Sequence, residues 1–68
     1  MNTLLSNRLK VLRAERNITQ DQLAQSCGLS RQSINAIEKG KFIPTVVSAL
    51  KISKFFKVKI EDIFQIKG

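Results

Sequence analysis

Residues 18–40 read Ile18-Thr19-Gln20-Asp21-Gln22-Leu23-Ala24-Gln25-Ser26-Cys27-Gly28-Leu29-Ser30-Arg31-Gln32-Ser33-Ile34-Asn35-Ala36-Ile37-Glu38-Lys39-Gly40, and this stretch decides the fold. Thr19 followed by Gln22 fits a capping box, in which each residue bonds the other's backbone N–H. Ile18 before the cap and Leu23 after it fit the accompanying hydrophobic staple. Leu23 and Ala24 are expected to face the core. Gly28 ends this helix and supplies the positive φ of a tight turn. Ser30 then caps a second helix over about Arg31 to Lys39, with Ile34 and Ile37 as its buried stripe and Gly40 as its stop. The segment is therefore two short helices joined by a glycine turn.

The flanks extend the same pattern. Leu5, Leu9 and Leu12 recur at spacings of four and three, predicting a helix over about Leu5 to Arg16 with Asn17 as its left-handed C′ residue. Lys41-Phe42-Ile43-Pro44 is a loop, because the residue before proline disfavours helix. Thr45 caps a further helix over about Val46 to Phe56, with Val46, Ala49, Leu50, Ser53 and Phe56 expected on its inner face. Lys57-Val58-Lys59 is a connector. Ile60 to Phe64 is a last short helix with Ile60 and Ile63 inward, and residues 65–68 are a tail. The alternation of Val58 with Ile60, and of Phe64 with Ile66, leaves a strand at either place open. The chain is expected to be all-α, with five helices in one domain over residues 5–64.

Composition narrows the function. At 68 residues the chain has room for one domain, and a domain this size buries only about 60% of its unfolded surface, so a partner or self-association would add to a thin stability margin. Hydrophobic content of 43% with 25% charged residues is that of a globular protein. Twelve Lys and Arg against five Asp and Glu give a net charge of +7. That excess suits a polyanion, either nucleic acid or an acidic membrane surface, although charge of this kind also serves solubility. Histidine is absent and Cys27 is the single cysteine, so neither an internal disulfide nor a Cys/His metal site can form. Cys27 reads as a small core residue. No secretory signal and no apolar run near the ~20 residues of a membrane span is present, so a cytoplasmic location is expected.

The chemistry of the helix beginning at Arg31 points to DNA. The B-DNA major groove accepts one α-helix, whose N-terminal side chains reach base edges. Arg31 suits guanine O6 and N7, and Gln32 suits adenine N6 and N7. Asn35, a turn further on, is placed for a base or a phosphate, Ala36 for a thymine methyl, and Ser33 for either. A solvated polar face explains such side chains on most helices. In a strongly basic chain with two helices around a glycine turn, the reading role is favoured for Arg31 and Gln32 and stays open for Asn35 and Ala36. Arg8 is within reach of phosphate from the first helix. Lys51, Lys54, Lys57 and Lys59 read first as a solvated face. No catalytic set is present and no pocket is credible at this size, so neither an enzyme activity, a cofactor nor a small-molecule ligand is expected.

The pieces Arg8-Leu9-Lys10-Val11-Leu12-Arg13, Thr19-Gln20 with Leu23-Ala24, Gly28-Leu29-Ser30-Arg31, Ile34, Ile37-Glu38-Lys39-Gly40, Pro44 and Val58 through Phe64 occur in an order and spacing that resembles the Cro/phage-repressor (XRE) type of helix-turn-helix regulator. The short length and the Glu61-Asp62-Ile63-Phe64-Gln65 ending are similar to its small stand-alone members. The resemblance implies a five-helix lambda-repressor-like DNA-binding domain, bacterial or phage, acting at the nucleoid. It implies that Arg31, Gln32 and Ala36 read the operator, with Ala36 departing from the polar reader common at that place. It implies that Gln20, with Thr19, touches a backbone phosphate and braces the first reader; the free N–H groups at a helix start are a phosphate site in their own right, which brings Ser30 and Ser33 into the same set. It implies that the loop carrying Lys39, Lys41 and Phe42 lies along the phosphate backbone, and that Arg13 and Glu38 form a largely buried structural ion pair.

Apolar residues near the C-terminus exceed what a core of this size should need. Phe56, Phe64 and Ile66, with Leu4 or Leu5, are therefore candidates for contact with a second copy, and members of the resembling family commonly dimerise through C-terminal elements. The leading expectation is a homodimeric regulator of transcription, a repressor, on double-stranded DNA. The alternatives are an antitoxin that binds a toxin protein and regulates its own operon, and a lysine-driven membrane-surface protein, against which the caps and turn glycines argue.

Overall fold

The structure, a computed structural model, describes residues 5–67. Its elements in chain order are β1 (Leu5–Asn7), α1 (Leu9–Glu15), α2 (Gln20–Cys27), α3 (Arg31–Glu38), α4 (Val46–Phe56), α5 (Ile60–Ile63) and β2 (Phe64–Ile66). The five expected helices are present, and the two termini add a short antiparallel sheet.

The sheet corrects two expectations. The first helix begins at Leu9, not Leu5, because residues 5–7 pair with 64–66 in the register Leu5↔Ile66, Ser6↔Gln65 and Asn7↔Phe64. Asn7 enforces the break. Its Oδ1 accepts the Leu9 N–H at 3.1 Å, capping α1, while its Nδ2 donates to the Ile37 carbonyl at 2.8 Å. The expected tail is likewise part of the fold up to Ile66. Of the two strand options left open, the one at Phe64–Ile66 is realised and Val58–Ile60 is not. Leu4 lies outside the described residues.

The core gathers Leu9 and Leu12 of α1, Leu23, Ala24 and Cys27 of α2, Ile34 and Ile37 of α3, Ala49, Ile52 and Phe56 of α4, Ile63 of α5 and Phe64 of β2. The five helices and β2 thus share a single interior, against which Leu5 of β1 packs partly buried, and full burial of a Leu, Ile or Phe side chain is worth about 1.5–3 kcal/mol. Helix α4 turns inward three of the five residues expected there, with Ile52 in place of Val46 and Leu50. Ala49, Ile52, Ser53 and Phe56 are buried, whereas Val46 and Leu50 are 73% and 50% exposed. Ser53 satisfies its hydroxyl on the Leu50 carbonyl at 2.9 Å. Phe56 and Phe64, expected at a contact with a second copy, are 0% and 7% exposed and belong to the core; Ile66 is 83% exposed.

Chain reversals follow the expected chemistry at three points and depart from it at a fourth. Asn17, Gly28 and Gly40 take positive φ (57°, 68° and 73°), as their residue types favour. Lys57, the C-cap of α4, does so too at φ 59°. Nearby, the Arg16 guanidinium donates to the Phe56 carbonyl at 2.7 Å and lies over the Phe56 ring at 5.3 Å. A cation at a helix C-terminus is favourable, and this one fastens the end of α4 to the end of α1.

Candidate nucleic-acid interface

The α2–turn–α3 unit is assembled from local signals. Thr19 Oγ1 accepts the Gln22 N–H at 3.0 Å and Gln22 Oε1 accepts the Thr19 N–H at 2.8 Å, so the capping box is formed. Gly28 closes α2 in the left-handed region. Ser30 begins α3, its Oγ accepting the Ser33 N–H at 3.0 Å and donating to Ser33 Oγ at 2.9 Å. Ile34 and Ile37 (0% and 2% exposed) anchor the inner stripe of α3.

The outer face of α3 begins with Arg31 and Gln32, both exposed. Neither makes a side-chain hydrogen bond or ion pair among the described residues. Their donors and acceptors are therefore open to an external partner, beside a helix start with no acidic residue in its first turn. Ala36, also on α3, is half-buried. Lys39 and Lys41 follow α3 and are exposed, as is Arg8 just before α1. Phe42 is 50% exposed, intermediate between core packing and a surface role.

Behind this face lies a hydrogen-bonded network that sequence reasoning captured only in part. Arg13 Nε and Nη2 donate to Glu38 Oε2 and Oε1 at 2.7 and 3.2 Å, a bidentate pair whose side chains are 17% and 5% exposed. Arg13 Nη1 also donates to the Ile18 carbonyl at 2.9 Å. The hydrogen bond to Glu38 raises the Arg13 pKa, opposed by burial, so the guanidinium stays charged. Gln20, expected at a phosphate, donates from Nε2 to Asn35 Oδ1 and to Glu38 Oε1, both at 3.1 Å. Asn35 is thus joined to Gln20 through its carbonyl oxygen. The link between Gln20 and α3 was legible only as a brace implied by the resemblance; its partners, Asn35 and Glu38, carried no signal in spacing.

Remaining candidates separate from this face. Cys27 is a buried free thiol, its pKa pushed up chiefly by burial and pulled back by the nearby Lys51 ammonium. Lys51, Lys54, Lys57 and Lys59 are exposed on α4 and its connector to α5. Among the described residues no group of His, Cys, Asp or Glu is placed to hold a metal ion, and no helix is long and apolar enough to cross a membrane.

Comparison with known proteins agrees with this geometry. A helix-turn-helix family model, HTH_3, matches residues 9–63. An uncharacterized HTH-type transcriptional regulator of Methanocaldococcus jannaschii is 58% identical over 60 residues, covering 88% of this chain and 91% of that protein. Another from Bacillus subtilis is 43% identical over 60 residues, with the same coverage of 88% and 91%. Among solved structures, the restriction-modification controller protein C.AhdI from Aeromonas hydrophila superposes with a TM-score of 0.76 at 27% identity, covering 81% of this chain and 83% of that one. With α2, the Gly28 turn and α3 in place and the family match spanning nearly every helix, the chain belongs to the HTH_3 (XRE, Cro/C1-type) helix-turn-helix family of DNA-binding transcriptional regulators and is not an enzyme.

Proposed function

We propose that this regulator is a repressor that binds an inverted-repeat operator as a homodimer, with α3 of each copy in the major groove. The observation that carries the reading is the pair Arg31 and Gln32, exposed and unengaged on the first turn of α3 and held on a helix whose other face is locked into the core. Arg31 reads a guanine and Gln32 an adenine in each half-site. Asn35 reaches the groove through its amide donor, because Gln20 occupies its oxygen, and Ala36 contributes a methyl contact. Arg8, Thr19, Gln20, Ser30, Ser33, Lys39, Lys41 and Phe42 line the approach to the phosphates, where the net charge of +7 supplies salt-dependent affinity. Repression follows from occupancy, since a dimer seated across an operator excludes other proteins from the same grooves. Such a protein acts in the cytoplasm, at the nucleoid.

Selection of bound sequences from a random duplex pool at about 150 mM salt, where non-specific binding is weakened, tests this reading. Recovery of an inverted repeat with half-sites about 34 Å apart, bound by two chains, is the expected result. Recovery of nothing beyond steeply salt-dependent, sequence-blind binding would overturn it and turn attention to a protein partner.

A further inference from the structure

A side-chain amide can turn either its nitrogen or its oxygen toward a neighbour, and the atom it turns outward decides what it can read. On α3 that choice is made from inside the protein. Glu38 accepts both donors of the Arg13 fork, at 2.7 and 3.2 Å, so each of its oxygens is an acceptor. The Gln20 atom 3.1 Å from Glu38 Oε1 must therefore be the donor, Nε2. The same nitrogen lies 3.1 Å from the Asn35 amide, so the Asn35 atom turned toward it must be the acceptor, Oδ1. Nδ2 is the atom left over. It has no partner among the described residues, and no buried side-chain nitrogen or oxygen there lacks one, so Nδ2 is open to solvent. Asn35 lies on α3 one turn beyond Arg31 and Gln32.

We infer that the Arg13–Glu38 ion pair, acting through Gln20, makes Asn35 a donor-only reader that selects guanine and discriminates against adenine. An asparagine with its whole amide edge outward suits adenine, accepting from N6 and donating to N7. Here the oxygen is turned toward Gln20, so the adenine N6 amino group meets no acceptor from Asn35. Guanine offers two acceptors, N7 and O6, side by side, and Nδ2 has two protons to give. Cytosine presents a donor, N4, which another donor does not match. The ion pair sets the polarity because a carboxylate only accepts; an apolar pair in its place would leave both amides free to turn over. Gln20 is the positioning residue in this scheme. Its Nε2 has two protons and two acceptors within the protein, so the side chain holds no further donor for a phosphate. The phosphate contact at this place falls to the backbone N–H groups of Gln20 and Asp21, which start α2 and have no partner within the helix.

This inference rests on the operator reading above, and the test separates the two. Bound sequences are selected from a random duplex pool for the wild type, Asn35→Ala, Gln20→Leu and Asn35→Asp, with circular dichroism confirming the fold of each. The base pair that Asn35 faces is the one at which Asn35→Ala loses preference. The wild type is expected to favour guanine over adenine there by about fivefold, the low end for one well-made base contact. Gln20→Leu releases the Asn35 oxygen, and adenine is expected to rise to at least parity with guanine at that pair while preference at the other pairs is kept. Asn35→Asp places an oxygen on both sides and is expected to switch the pair to cytosine, whose N4 donates. If Gln20→Leu does not fold, Asn35→Asp decides alone, because Gln20 still holds the inner oxygen in that variant. A wild-type preference for adenine, a guanine preference unmoved by Gln20→Leu, or an Asn35→Asp protein that still selects guanine overturns the inference and leaves the operator reading standing. So does an Asn35→Ala protein with wild-type preference at every pair. A wild type without preference at any pair sinks the operator reading, and the role of Asn35 with it.

Discussion

A single amide, Nε2 of Gln20 at the start of α2, donates to both Asn35 and Glu38 on α3, at 3.1 Å each. Asn35 and Glu38 lie three apart and so share one side of the helix. Glu38 in turn accepts both donors of the Arg13 fork from α1. The orientation of the recognition helix is therefore fixed by polar contacts to two other helices, in addition to the apolar packing of Ile34 and Ile37. Buried polar groups of this kind are fully engaged: among the described residues no buried side-chain nitrogen or oxygen lacks a partner.

Breaking that network should be costly. Glu38 is 5% exposed at its side chain, so Arg13→Ala leaves a buried carboxylate without its counter-ion. The expected loss is about 3 kcal/mol, the lower end for a buried pair, because Gln20 continues to donate to Glu38. Urea unfolding checks it. A loss under about 1 kcal/mol would place the pair with ordinary surface salt bridges. Replacing both partners, as in Arg13→Met with Glu38→Leu, should recover much of the loss, since no charge is then stranded.

The Asn7 side chain makes two bonds of opposite sense, accepting from Leu9 of α1 and donating to Ile37 of the recognition helix, which two substitutions can separate. Asn7→Ala removes both the cap of α1 and the donation to Ile37, and should cost about 1–2 kcal/mol. Asn7→Asp keeps an acceptor for the Leu9 N–H but sets a carboxylate against the Ile37 carbonyl. If Asn7→Asp is as stable as the wild type in thermal unfolding, the link to α3 contributes nothing and Asn7 is a cap only.

The two classes of proposed DNA contact should respond differently to alanine. Arg31→Ala is expected to lose about 1–3 kcal/mol on the operator and to relax preference at one base pair. Lys41→Ala should weaken binding to all duplexes alike and lower the salt slope by about 1. Titration of operator and scrambled duplexes over a salt series measures both. Equal loss on every duplex from Arg31→Ala would remove that residue from base reading.

How much was legible follows from which forces are local. The caps at Thr19, Ser30 and Thr45 and the turns at Asn17, Gly28 and Gly40 depend on residues within a few positions of each other, and the sequence displays them directly. Arg13 and Glu38 were legible only through family resemblance, because nothing in spacing joins residues 25 apart. The β1–β2 pairing escaped for the same reason: Leu5 fits the periodicity of α1 equally well, and the strand that pairs with it, Phe64–Ile66, is distant in sequence. On α4, Val46, Val47, Leu50, Ile52 and Phe55 make the helix apolar around much of its circumference, so periodicity could not choose which face turns inward. Phe56 and Phe64, expected at a contact with a second copy, are absorbed by the core.

Two backbone positions in the left-handed region should respond to substitution with opposite signs. Gly28 has φ 68°, and a Cβ there would meet only the end of the Lys51 side chain at 3.8 Å. No backbone obstructs it, so Gly28→Ala carries conformational cost alone, about 1–2 kcal/mol, and Gly28→Asn should lose less because Asn tolerates this region. Lys57 already bears the same cost at φ 59° as the C-cap of α4. Lys57→Gly relieves it but adds freedom to the unfolded chain, leaving a net gain of about 0.5–1 kcal/mol. The two changes lie at the ends of different helices and should add in the double variant. Thermal unfolding of the single and double variants decides the matter. A destabilised Lys57→Gly would mean that the lysine side chain contributes contacts worth more than the strain of its backbone.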